Sequence, residues 1–215
     1  MLRYEKGAFA GKSAALGQLG KSLGENFARE VGARIADMLD GNRFDGDERA
    51  FWLSWKAAEI ARPMDSKGYG AKEREAVRDS IVRIISISRI SDPFSDRLYE
   101  VWQANSHEAV ETKAERIRSL YNALERLSST GLKHKEASQA AKQLAEIAKI
   151  AKDEEVLWAA VEVFSNCSSV DVIASIGHRM LMHMQQTHGY SSPAEAAGQI
   201  RRIGMAALET GLMRE

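Results

Sequence analysis

SHEAVETKAERIRSLYNALERLSSTG, residues 106–131, carries the clearest helical signature in the chain. Val110, Ala114, Ile117, Tyr121, Leu124 and Leu127 recur in it at steps of three and four, the spacing that lines up one face of an α-helix. Most of the positions between them are charged or polar. Ser106 is placed to cap the start, and Ser128, Ser129, Thr130 and Gly131 form a stop. No alternation of period two competes with this pattern, so the stretch reads as one long amphipathic helix.

The same grammar runs outward in both directions. The three prolines, Pro63, Pro93 and Pro193, stand where helices are expected to begin or end, because proline lacks the N–H that a helix interior needs. Ser22 and Glu25 form an S-x-x-E capping box for a helix running to about Asp40. A second helix starts near Asp47 and stops before Pro63; it carries Phe51, Trp52, Trp55 and Ile60, an aromatic face expected to be covered. Residues 72–90 hold Ile81, Val82, Ile84, Ile85, Ile87 and Ile90, side chains that also suit a strand. Val77, Ile81, Ile84 and Ile85 share a helical face, which favours helix.

Asp92 and Pro93 open the next helix, with Phe94, Leu98, Val101 and Trp102 inward. Beyond residue 131 come three more helices: one with Ala137, Ala141, Leu144, Ala148 and Ala151, one capped by Asp153 with Leu157, Trp158, Val161 and Phe164, and one opened by Ser169 with Ile173, Ile176, Met180 and Met184. Ser192, Pro193 and Glu195 start the last, whose stripe is Ile200, Ile203, Ala207 and Leu208. The fold class predicted is all-α, an eight- or nine-helix bundle of consecutive antiparallel pairs. Pairs repeat about every 40 residues, near a solenoid period, but no residue pattern repeats with them, so a compact bundle is expected. Residues 1–22, with Gly7, Gly11, Gly17 and Gly20 among Ala, Ser and Lys, have poor helix propensity and are expected as a flexible Gly/Ala-rich N-terminal arm. Residues 23–215 are read as a single helical domain.

Composition limits the function classes. Of 215 residues, 44% are hydrophobic and 28% charged, ordinary for a chain that folds. Thirty basic side chains balance thirty acidic ones, so no overall field favours nucleic acid or anionic lipid. Cys167 is the single cysteine, and a cytoplasmic location follows as the expectation. No apolar run is long enough for a membrane span.

Each motif with chemical potential meets a spacing test. Gly11-Lys12-Ser13 and Gly20-Lys21-Ser22 repeat the end of a phosphate-binding loop, but the required earlier glycine is replaced by Lys6 and Ala15. Asp40, Asp45, Asp47 and Glu48 surround a glycine-containing turn and could hold a divalent cation, since hard cations take several oxygen ligands. His178, Met180, Met182, His183, Met184 and His188 crowd one helix, yet they fall on different faces. Glu108, Glu111 and Glu115 line one side of a helix without the second acidic pair that a magnesium-dependent hydrolase needs, and His107 pairs only with Glu111. No cofactor is implied. Lys135, Lys142 and Lys149 recur every seven residues, continued by Lys152, a ridge on which a nucleic-acid backbone could lie.

With no catalytic constellation, the leading expectation is a non-enzymatic helical adaptor or regulatory module that binds another protein. Trp52, Tyr69 and Tyr99 are its candidate contact residues, because aromatic side chains supply anchoring area at low entropic cost. The alternatives are a nucleic-acid-associated protein using the lysine ridge and a domain binding a divalent metal at the acidic turn. Self-association is compatible with all three.

Overall fold

A computed structural model describes residues 2–40, 46–66, 68–87, 92–186 and 192–210. Among these residues there is no strand. The helices are α1 (Leu2–Leu23), α2 (Glu25–Asp40), α3 (Gly46–Ala61), α4 (Ala71–Ile87), α5 (Asp92–Ala104), α6 (Val110–Ser128), α7 (His134–Ile150), α8 (Glu154–Ser165), α9 (Val170–Gln186) and α10 (Pro193–Glu209), with a 3-10 turn at Arg62–Asp65. The all-α expectation and the pairing of consecutive helices are met. The isoleucine-rich stretch is helical through Ile87, with Ile81, Ile84, Ile85 and Ile87 buried; residues 88–91, and Ile90 with them, lie outside the described residues.

Residues 1–22 differ from the expectation, since an α-helix, Leu2–Leu23, stands where an arm was foreseen. Intrinsic propensity is a weak prior that packing overrides. Ala15 and Leu19 are buried, and α1 packs against α3 and α2. The helix ends at Gly24, whose φ of +103° is a backbone conformation glycine adopts freely. Its N–H donates to the Gly20 carbonyl at 2.9 Å. The capping box read at Ser22 does not form. Ser22 belongs to the last turn of α1, and its buried hydroxyl donates to Asp65 Oδ1 at 2.7 Å. Arg74 of α4 donates to the carbonyls of Ser22 and Met64, so one guanidinium satisfies chain ends from two elements.

By its contacts the chain groups into two compact units, residues 1–89 with 109–114, and residues 90–108 with 115–215. In the first, α1 lies against α3, and α4 against α2 and α3. In the second, α7 lies against α5, α8 and α9, and α10 against α8 and α9. Within each unit the pairs α1 and α3, α2 and α4, α5 and α7, α7 and α9, and α8 and α10 are therefore neighbours, as in stacked hairpins. That arrangement requires close approach. A Cβ on Gly177 of α9 would run into the Gln143 side chain of α7, and α7 meets its neighbours with Ala140, Ala141, Leu144, Ala145 and Ala148, all buried.

The start of the stretch 106–131 is also corrected. Ser106 does not cap α6, which begins at Val110. Glu108 is instead drawn onto Arg116, a buried guanidinium that donates Nη2 to Oε1 at 2.6 Å and Nε to Oε2 at 3.2 Å. Arg116 Nη1 also donates to the Ala148 carbonyl at 2.6 Å, in the last turn of α7, where carbonyls have no intrahelical partner.

Candidate functional site

The candidate surface is α3, and its sequence shows why the aromatic residues were misplaced. Ala50, Leu53, Ser54, Ala57, Ala58, Ile60 and Ala61 are buried; at about 100° per residue they form one broad face. Trp52, Trp55 and Glu59 fall on the opposite side. The expectation that the aromatic face is covered is therefore overturned: Trp52 is 48% and Trp55 44% exposed. The small residues made the core because α1 and α3 pack closely, and a closely approached helix buries alanine more readily than an indole.

The three aromatic rings of α3 are arranged as a platform. Phe51 is half-buried; its centroid lies 5.9 Å from Trp52 at 72° and 6.3 Å from Trp55 at 32°. Such edge and tilted contacts hold each ring by its neighbour. The outer indole faces remain available to solvent.

The other sequence candidates separate. Tyr69 is half-buried in the short connection before α4, and Tyr99 is half-buried on α5, its hydroxyl accepting from Gln103 at 2.7 Å. Trp52 and Tyr69 belong to the first compact unit and Tyr99 to the second. Trp102 is buried. Trp55, placed by the sequence on a covered aromatic face, is a second exposed indole of α3; the signal for it was the small-residue face of Ala50, Leu53, Ala57 and Ala61 at helical spacing.

A second exposed tryptophan lies on α8. Trp158 was expected in the core with Leu157, Val161 and Phe164; those three are buried, whereas Trp158 is 36% exposed. Arg126 of α6 stands over its ring at 5.1 Å. The Arg126 guanidinium also reaches Glu162 Oε1 at 3.5 Å, while Arg201 of α10 donates from Nε to Glu162 Oε2 at 2.9 Å. Glu162 thus links α8 to both α6 and α10, and the Trp158 indole adds a second contact with α6.

The remaining chemistry is spoken for or lies elsewhere. Lys135, Lys142 and Lys152 are exposed, but Lys149 pairs with Glu146 at 2.6 Å, so the ridge is interrupted by a carboxylate. Asp45 and the side chains of Asp40, Asp47 and Glu48 lie outside the described residues. Among the described residues no three His, Cys, Asp or Glu side chains gather as metal ligands. Met180 and Met184 are buried and His178 and Met182 exposed, which disperses the His/Met helix. Gly20, Lys21 and Ser22 sit at the carboxyl end of α1, where the helix dipole repels phosphate. Glu108 is held by Arg116. Cys167 is buried with Sγ 3.4 Å from the Val163 carbonyl, and desolvation pushes its thiol from 9.0 up to about 11, the opposite of nucleophile activation.

No helix among the described residues is long and apolar enough to cross a membrane. Comparison with protein-family models, with curated proteins and with solved structures finds no match.

Proposed function

We propose that this protein is a non-enzymatic helical module that binds another protein, and that α3 supplies the contact. One observation carries the reading: Trp52 and Trp55 are nearly half-exposed on the side of α3 opposite its core face. Exposing two indoles to water costs apolar hydration that burial would recover, about 25 cal/mol per Å². Tryptophans placed this way act as binding anchors when a partner covers them. Tyr69 and Tyr99 are half-buried whereas Trp52 and Trp55 are exposed, so the two indoles are the principal residues and the tyrosines secondary ones.

The test is affinity capture from native lysate with the wild-type chain and with a Trp52→Ala/Trp55→Ala variant of matched helicity. A partner retained by the wild type and lost from the variant supports the reading. Identical capture profiles, or a partner released only when the variant unfolds, would sink it.

A further inference from the structure

We infer that the exposed face of α3 is covered by the same face of a second copy of this chain, the two helices antiparallel about a two-fold axis and Arg62 of each copy laid over Trp52 of the other; the inference rests on the protein-binding reading and names the partner. A two-fold interface requires one patch to carry both halves of every contact. The α3 face does. Trp52 and Trp55 are 48% and 44% exposed, and the Arg62 side chain is 59% exposed. Arg62 follows directly on α3, and Ala61 before it keeps a helical backbone conformation, so at about 100° per residue the three side chains fall within about 80° of one another. All three belong to the first compact unit.

Direction follows from charge. Trp52 stands towards one end of the face and Arg62 at the other, about 15 Å apart at 1.5 Å per residue. In a parallel pairing Arg62 meets Arg62, two like charges, and the helix dipoles align, both unfavourable. Reversing one helix brings cation to indole twice. The axis then falls level with Ala57, and the Trp55 rings of the two copies flank it between the two Arg62–Trp52 contacts.

The chain already uses this contact once, since Arg126 lies over the Trp158 ring at 5.1 Å. Arg62 reaches Glu59 of its own helix only at 4.0 Å, the outer limit of an ion pair, and a planar guanidinium can stack on a ring while keeping an edge contact with a carboxylate. Phe51 steadies both indoles from beside them, so little side-chain freedom is lost when they are covered. Thirty basic and thirty acidic residues leave no net charge to drive two copies apart. One helix face per copy is smaller than the standard interface of about 1,600 Å², so the dimer is a reversible one.

Sedimentation equilibrium of the full chain from micromolar to millimolar concentration is the test, applied to the wild type, Trp52→Ala, Arg62→Ala and an equimolar mixture of the two variants. A reversible wild-type dimer is expected, weakened about tenfold or more in each variant by loss of an anchor indole or of its cation. Circular dichroism should be unchanged, because both side chains are exposed. The mixture decides the geometry. A Trp52→Ala copy keeps Arg62 and an Arg62→Ala copy keeps Trp52, so their heterodimer retains one of the two contacts and should form several-fold more tightly than either variant with itself. A wild type that stays monomeric, a dimer indifferent to both substitutions, or a mixture no tighter than its components overturns the inference. A monomeric wild type that still captures a different protein through Trp52 and Trp55 overturns the dimer alone; failure of self-association and of capture together overturns the protein-binding reading as well.

Discussion

Gly204 of α10 lies so close to Val163 of α8 that a Cβ added to it would stand 2.5 Å from Val163 Cγ2 and 2.8 Å from Cγ1. Valine is branched at Cβ and stiff at χ1, so it cannot rotate away cheaply. Gly204→Ala is expected to cost about 1 to 3 kcal/mol through overpacking, despite alanine's better helix propensity. Gly198, on the same helix, has nothing within 4 Å of a Cβ; Gly198→Ala is expected to stabilise by about 0.5 to 1 kcal/mol. Urea denaturation of both variants checks the sign difference, and two stabilising substitutions would refute the close α8–α10 contact.

Arg116 is buried, pairs with Glu108 and donates to the Ala148 carbonyl. Arg116→Ala leaves that carboxylate and that carbonyl without their donor, so a loss of about 3 kcal/mol or more is expected. Arg116→Lys should recover only part of it, because one ammonium cannot reproduce the fork that serves both acceptors. Thermal melts of the three proteins measure this; a loss under about 0.5 kcal/mol for Arg116→Ala would place the pair among weak surface bridges.

On α3 the prediction is an inversion of the usual rule for tryptophan. Leu53 is buried, whereas Trp52 and Trp55 face solvent. Leu53→Ala is expected to cost about 2 to 5 kcal/mol, and Trp52→Ala or Trp55→Ala within about 1 kcal/mol. Chemical denaturation ranks the three. Tryptophan variants as damaging as Leu53→Ala would return the aromatic face to the core.

Cys167 should be inert in the native state. With its thiol raised from 9.0 to about 11 by burial, little thiolate is present near neutral pH, and labelling by a disulfide reagent should be slow until denaturant is added. The linked effect on stability has a definite sign. Below pH 9 both folded and unfolded chains keep the proton and the contribution is complete; as pH rises from about 9 to about 11 the unfolded thiol ionises while the folded one does not, and stability falls. Cys167→Ala should remove that part of the alkaline slope. Rapid native labelling at neutral pH would contradict the burial.

Much of the fold was legible in local pattern. The three-and-four spacing of Val110 to Leu127, the proline-marked boundaries and the Ser192 cap, whose hydroxyl accepts from the Glu195 N–H at 3.2 Å, report helices because period and capping are properties of short segments. Which face of a helix is buried is not local. Hydrophobicity places Trp158 inward and the aromatic face of Trp55 under cover, yet the buried faces of α3 and α8 are built mostly of alanine, valine and leucine instead. The glycines of α1 counted against a helix until its packing on α3 and α2 entered.

Local pattern alone thus specifies an all-helical chain, where most of its helices start and stop, and an apolar content sufficient for a core. Only the packing of distant segments decided that α1 is helical and buries Ala15 and Leu19, that Glu108 serves Arg116, and that two tryptophans of α3 are left facing water. The reason is physical: helical period is set within a few turns of chain, whereas burial depends on which surfaces reach close packing with partners distant in sequence.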